Sequence, residues 1–186
     1  FRAMSLDMAQ ERSVDALLQL IVDRLVERPQ IALARIWLKR PADVCGDCAL
    51  VSECQTQTEC LHLVASAGFS QLDPLVEWSD TDGEFGRSPQ AARTVGRIFS
   101  LGKAIEMPDT SRAPDWNADF EASEGEGIRG FSGRPLLFMG EVFGVLAVYT
   151  RIPFAPGSLM WVGLLADQAA AAIANARAFE EIERLQ

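Results

Sequence analysis

The apolar positions of this chain follow a helical repeat at its two ends and short strand-like runs between them. Near the N-terminus, apolar residues recur at intervals of four, three and four positions, which places them on one face of a helix predicted over residues 5–27. Their positions are Val14, Leu18, Ile21 and Leu25. A second long helix is predicted over residues 159–185, with an alanine-rich middle that allows a close approach to another surface.

Runs of β-branched and aromatic residues between these helices predict five strands. The last two are separated by Met-Gly-Glu, which predicts a hairpin. A short helix is predicted over residues 91–101, before the third strand. The predicted strands cover residues 31–38, 61–69, 104–107, 131–138 and 142–150.

Four stretches carry a resemblance to a known family: CLHLVASAG (60–68), VGRIFSLGKAIEMPD (95–109), GIRGFSGRPLLFMGEVFGVLAVY (127–149) and LLADQAAAAIANARAFEEI (164–182). Together with the element order, they resemble a GAF domain, the small-molecule and redox-sensing module of bacterial signalling proteins. The resemblance implies an α/β fold of the α+β type, with a central antiparallel sheet. It implies that the first and last helices cover one face and a ligand pocket the other, beneath residues 78–119.

The length of 186 residues and the 48% hydrophobic content suit one domain, which we expect to span residues 4–186. Residues 1–3, ahead of Met4, are expected to be an expression remnant. The resemblance implies that the helix over residues 158–186 leads to an output module such as a histidine kinase, a nucleotide cyclase or a transcription activator. Only Phe179, Ile182 and Leu185 stay apolar near its end, so we expect a homodimer formed through the first and last helices.

The net charge of −9 argues against nucleic acid as a partner, because nucleic-acid-binding domains usually carry clustered basic residues. Direct nucleic-acid binding is therefore not expected. No apolar run is long enough to span a bilayer and no signal-peptide pattern opens the chain. We expect a cytoplasmic protein without membrane contact.

All four cysteines lie in a polar segment predicted as a long insert loop over residues 39–60. Fixing the backbone of such a loop costs about 1–2 kcal/mol of conformational free energy per residue. Burial of its few apolar side chains returns less free energy than the whole loop costs to order. Either the loop is disordered, or something besides hydrophobic packing holds it. The cysteines are Cys45, Cys48, Cys54 and Cys60.

Clustered thiols in a reducing compartment more often bind metal than form structural disulfides. Zinc prefers two close cysteine pairs, and the interval between Cys54 and Cys60 is too wide for the second. An iron–sulfur cluster tolerates such spacing, so we expect a cluster held by the four cysteines. Zinc, a thiol–disulfide switch and free thiols on an idle loop are the alternatives. His62 shares a strand face with Cys60 and is an alternative ligand.

The ligand pocket that the resemblance implies has candidate lining residues other than the cysteines. The expected lining consists of Trp78, Phe85, Trp116, Phe120 and Arg129. The set of residues with which some GAF domains bind cyclic nucleotides is not reproduced in this sequence. The absence of cysteine after residue 60 argues against a covalently attached bilin.

Catalytic motifs are missing from the sequence. No nucleophile elbow or phosphate-binding glycine loop occurs, and a single histidine leaves little scope for general-base catalysis. We therefore expect a non-enzymatic sensor domain of a bacterial signalling protein, responding to redox state or a gas through the cluster. A small-molecule sensor with a structural zinc or an idle loop, and a dimerisation module without ligand, are the alternatives.

Overall fold

The computed structural model describes residues 13–48, 50–54, 58–73, 75, 78–81, 86–88, 90, 93–113 and 127–186. Within those residues the chain forms three α-helices and six β-strands. The helices are α1 (Val14–Leu25), α2 (Arg93–Leu101) and α3 (Met160–Leu185). The strands are β1 (Ile31–Pro41), β2 (Glu59–Gly68), β3 (Arg87–Ser88), β4 (Ile105–Met107), β5 (Gly130–Phe138) and β6 (Glu141–Thr150).

All five predicted strands are confirmed, with ends that differ from the prediction by no more than three residues. The six strands form one sheet in the order β3-β2-β1-β6-β5-β4, and each neighbouring pair is antiparallel. A two-residue turn at Met139 and Gly140, with φ of 51° and 81°, joins β5 to β6, as tight hairpins require. The antiparallel α+β fold implied by the resemblance is thus present.

Helices α1 and α3 pack on the same face of the sheet, as predicted. The apolar stripe of α1 is buried completely between residues Leu17 and Leu25. Three alanines of α3, at most 1% exposed, allow its close approach to the sheet: Ala166, Ala169 and Ala170. The aliphatic side chains of β1, β2 and β6 that point to this face complete the larger core.

The opposite face of the sheet carries α2 and a second core rich in aromatic residues. Val95 and Ile98 of α2 are fully buried against it. Phe131 and Tyr149 meet edge to face on neighbouring strands, with ring centroids 5.2 Å apart. This is the face on which the resemblance places a ligand pocket.

Among the described helices, none has the length and apolar character needed to cross a lipid bilayer.

Candidate functional site

The cysteine segment leaves the sheet at Pro41 and returns at Glu59, at the edge where β3 ends the sheet. Its start at residue 39 was predicted wrongly, because β1 continues through Pro41 and pairs with β2 despite its polar side chains. Main-chain hydrogen bonds do not depend on side-chain polarity, so the pairing extends beyond the apolar run. The insert is therefore residues 42–58.

Two short 3-10 turns organise this insert: Cys45–Asp47 and Val51–Glu53. Each turn is followed directly by a cysteine, Cys48 or Cys54, whose backbone N–H donates back into the turn. The N–O distances are 3.5 Å to the Cys45 carbonyl and 3.2 Å to the Val51 carbonyl. The two turns thus place three thiols at defined points of the loop, and β2 supplies the fourth, Cys60.

All four thiols line one small cavity of about 10 Å³, together with residues of β3. Three of the cysteines are half-buried, and Cys60 is only 8% exposed. No disulfide joins any of them. The structure therefore brings together the four residues that the sequence pattern selected.

The sulfur atoms do not yet surround a common point. Among the described residues, no three histidine, cysteine, aspartate or glutamate side chains stand close enough to hold one metal ion. Rotation about χ1 moves a cysteine sulfur between staggered positions without moving the backbone. Ligation would therefore require the four side chains to turn into the cavity that they already line.

Two arginines from outside the insert hold it against the sheet edge. Arg87 of β3 donates from Nε and Nη2 to the two carboxylate oxygens of Asp43, at 3.0 and 2.9 Å. Arg93 of α2 donates from Nε and Nη2 to Oε2 of Glu53, at 3.2 Å each. Together with Leu50, which is buried, these pairs attach the insert to β3 and α2. The two pairs are thus attachment points in a segment that buries little apolar surface, and they offset only a small part of its ordering cost.

The electrostatic surroundings do not favour a reactive thiolate. Burial raises the pKa of the Cys60 thiol to about 11. The pKa of Cys54 is also raised, chiefly by burial and further by the neighbouring thiols. Hydrogen bonds from Arg87 lower the pKa of Asp43 to about 2. The raised pKa values lower the thiolate fraction at Cys54 and Cys60 and so disfavour nucleophilic attack by these two thiols.

His62 lies on the same face of β2 as Cys60, as predicted, but it does not line the thiol cavity. Its Nε2 is 3.0 Å from the Pro41 carbonyl oxygen, and burial lowers its pKa. It borders a separate polar cleft of about 350 Å³, which Asp15 and Gln19 of α1 also line. The four cysteines, without His62, therefore define the candidate site.

The residues expected to form a ligand pocket are only partly described. Trp78 is buried in the aromatic core, and its backbone N–H donates to the Gly68 carbonyl at 3.0 Å. The Arg129 side chain is about half-exposed and lies 3.4 Å from Asp109. Neither residue lines the thiol cavity or the polar cleft. Phe85, Trp116 and Phe120 lie outside the described residues.

The pocket-side face contains a buried charge that the sequence reasoning missed. Arg35 of β1 is 7% exposed, and its Nε donates to the Ser66 hydroxyl at 3.1 Å. That hydroxyl in turn donates to the Trp78 carbonyl. The signal was visible in the run IALARIWL, because a basic residue inside a buried strand must serve a polar partner.

The GAF domain family profile matches residues 13–173 of this chain. No curated protein matches the sequence closely enough to count as a relative. The solved structures with similar folds include the GAF domain of an Acinetobacter phosphoenolpyruvate-protein phosphotransferase. It is 18% identical over 95% of this chain and 92% of that chain, with a TM-score of 0.64.

Two further structures show the range of proteins that share this fold. A free methionine-R-sulfoxide reductase from Neisseria meningitidis, solved with its substrate, is 18% identical over 95% of this chain and 87% of that chain, with a TM-score of 0.66. The GAF domain region of a putative membrane protein from Geobacter sulfurreducens is 21% identical, with coverages of 93% and 97% and a TM-score of 0.60. A reductase and GAF domains of other proteins therefore share this architecture.

Proposed function

The chain belongs to the GAF domain family, and from that premise we propose that it is a regulatory sensor module whose input site is the four-cysteine cavity. The observation that carries the proposal is the convergence of the four thiols from two turns and one strand on a single cavity. In this proposal Cys45, Cys48, Cys54 and Cys60 hold a metal centre as thiolates. A cytoplasmic location would keep these thiols reduced and available.

The sequence spacing favours an iron–sulfur cluster, which would make the module sensitive to redox state or to a gas such as oxygen or nitric oxide. The size of the cavity favours a second candidate, a single tetrahedral zinc. A volume of about 10 Å³ suits one atom-sized body, and a cluster would require the insert to open further. A zinc centre would make the site structural, or responsive to thiol oxidation.

Metal analysis and an absorption spectrum of protein purified without oxygen test this proposal. Iron with visible absorption supports the cluster, and one equivalent of zinc in a colourless sample supports the single ion. Cys54→Ser should lose most of the metal, whereas Ser52→Ala, on the same turn and exposed, should retain it. Protein without bound metal under these conditions would contradict the proposal.

We further propose that the module has no enzymatic activity of its own. Burial raises the pKa of the Cys54 and Cys60 thiols, which lowers the fraction of each that is a nucleophilic thiolate. We expect no reduction of free methionine-R-sulfoxide in the presence of dithiothreitol. Turnover that disappears in Cys54→Ser would contradict this part of the proposal.

The buried polar chain of Arg35, Ser66 and Trp78 supports a second candidate function, in which an anionic small molecule binds the pocket-side face. A thermal-shift screen with carboxylates and phosphate esters tests it. A stabilising compound should act equally on Cys54→Ser, because the thiol cavity is a different site. Its effect should be lost in Arg35→Gln, and a ligand that needs Cys54 would argue against this candidate.

We propose that the module transmits its signal through association of α3 with a helix of a partner chain. The apolar stripe of α1, including Ile21, is buried inside the domain, so we expect a partner helix to contact α3. Phe179 and Ile182 near the end of α3 are about half-exposed. Phe179→Glu should give a monomer in sedimentation experiments, and Glu183→Gln should not. A kinase, cyclase or transcription activator is the proposed recipient of the signal.

A further inference from the structure

The two ion pairs of the insert connect it to different elements. Arg87 belongs to the two-residue strand β3, which only extends the edge of the sheet. Arg93 is the first residue of α2, the described helix on the pocket-side face. The Glu53–Arg93 pair joins residues 40 positions apart and is therefore a direct link between the thiol segment and that helix.

Arg93 adopts an unusual backbone conformation. Its φ is +61°, in the left-handed region that residues with a side chain rarely occupy. Such a conformation persists only where surrounding contacts enforce it, and it is found often at switch regions. Among the described residues, Glu53 accepts two hydrogen bonds from the Arg93 side chain, which is 20% exposed. Loss of these hydrogen bonds would remove contacts that oppose relaxation of residue 93 toward negative φ.

The thiol segment also contains Glu53, the carboxylate end of this link. Glu53 is the last residue of the second 3-10 turn, and Cys54 follows it directly. Ligation of Cys54 in the cavity would immobilise this turn, and with it the carboxylate that binds Arg93. A change at the thiols therefore acts on Glu53 through one peptide unit.

Helix α2 can carry a movement of its first residue to the centre of the sheet. Thr94, Val95 and Ile98 are at most 1% exposed on the pocket-side face. The Ile98 side chain lies directly over Gly133 of β5, where even a methyl group would collide with it. Such close packing transmits a shift of the helix instead of absorbing it.

We propose that the Glu53–Arg93 pair is the link through which the state of the thiol site sets the position of α2. This inference rests on the proposed function of the four cysteines. With the centre in place, the second turn is held, the pair is engaged and residue 93 keeps its left-handed conformation. Without it, the pair still forms but opens more often, and in the open molecules residue 93 relaxes and the N-terminal turn of α2 loosens against the sheet.

Hydrogen exchange followed by mass spectrometry tests the link on the whole chain, using reduced protein with and without added zinc. Peptides covering Arg93–Leu101 should exchange at least about threefold more slowly in the zinc-loaded protein, because local opening of α2 becomes rarer. Peptides of α1 serve as the internal reference and should not change. Equal or faster exchange of α2 in zinc-loaded protein would overturn the inference while leaving the metal site intact.

Variants separate a link from a merely structural contact. Glu53→Gln and Arg93→Gln should still bind zinc, but α2 should no longer distinguish the two states. The exchanged pair Glu53→Arg with Arg93→Glu should restore the difference, and Arg97→Gln, on the same helix, should preserve it. A zinc-dependent difference that survives in Glu53→Gln would overturn the inference.

A separate experiment tests the link if the protein binds no zinc. In that case the metal part of the proposed function would be wrong, and the link would need a test without metal. Iodoacetamide then blocks the half-buried thiols, and the added group at Cys54 displaces the second turn. Exchange of α2 should accelerate in the wild-type chain and remain unchanged in Glu53→Gln. Unchanged α2 exchange after complete alkylation of Cys54 in the wild-type chain would overturn the link itself.

Discussion

The helix-covered face and the cysteine edge of the same sheet are held by different forces. On the helix-covered face, α1 and α3 bury a continuous set of aliphatic side chains, many of them fully inaccessible. At the cysteine edge, Leu50 is the only buried side chain among the described residues between 42 and 58. Two arginine–carboxylate pairs and two 3-10 turns organise other described residues of this segment.

This difference distinguishes a stable scaffold, the helix-covered face, from a region whose local stability depends on conditions, the cysteine edge. Apolar burial on the helix-covered face stabilises the fold under all conditions in which the chain is folded. Solvent-accessible ion pairs contribute little by themselves and respond to salt and to nearby charges. Segments of low local stability are the ones that respond to ligands. The cysteine edge therefore has the properties of a sensing region, supported by a core that does not need to change.

The largest expected effect tests the scaffold. Leu165→Ala removes a fully buried side chain of α3 and should lower the free energy of unfolding by about 2–5 kcal/mol. Leu164→Ala, one position earlier and 60% exposed, should change it by about 0.5 kcal/mol or less. Urea denaturation measures both variants. Similar losses at the two positions would show that the helix-covered face is not the main source of stability.

Metal addition tests the conditional character of the cysteine edge. Zinc at about one hundred times its dissociation constant should stabilise the reduced protein by roughly 2.7 kcal/mol, if it binds only the folded state. The rise in melting temperature should be lost in Cys54→Ser and retained in Leu165→Ala, because the two regions are independent. An equal rise in Cys54→Ser would mean that zinc binds elsewhere.

The smallest expected effect concerns the ion pair to α2. Glu53→Gln should lower the global free energy of unfolding by about 1 kcal/mol or less, since the Glu53 side chain is 36% exposed. Limited proteolysis should nevertheless cut between residues 42 and 58 faster, because the insert has lost one of its two attachments. Asp47→Asn, an exposed carboxylate of the same insert, is the matched control. If proteolysis were equally fast in both variants, the pair would not be what holds the insert.

Local patterns predicted most of the architecture correctly. The spacing of Leu18, Ile21 and Leu25 sufficed for α1, and the hairpin signal around Gly140 sufficed for β5 and β6. These features depend on neighbouring residues alone, so the sequence carries them directly. The two-residue strand β3 escaped prediction because its pairing with Leu61 and His62 leaves no local pattern.

By itself, the sequence determined the order of the elements apart from β3 and the choice of four cysteines as the candidate site, and its family resemblance implied the antiparallel α+β class. Only the tertiary structure decided that Asp43 and Glu53 meet arginines some 40 residues away. It also separated His62 from the thiol cavity. The physical reason is that periodicity records which side of an element is buried. The partner of a polar side chain is decided by where the chain returns, and the intervening residues do not encode that position in any local pattern.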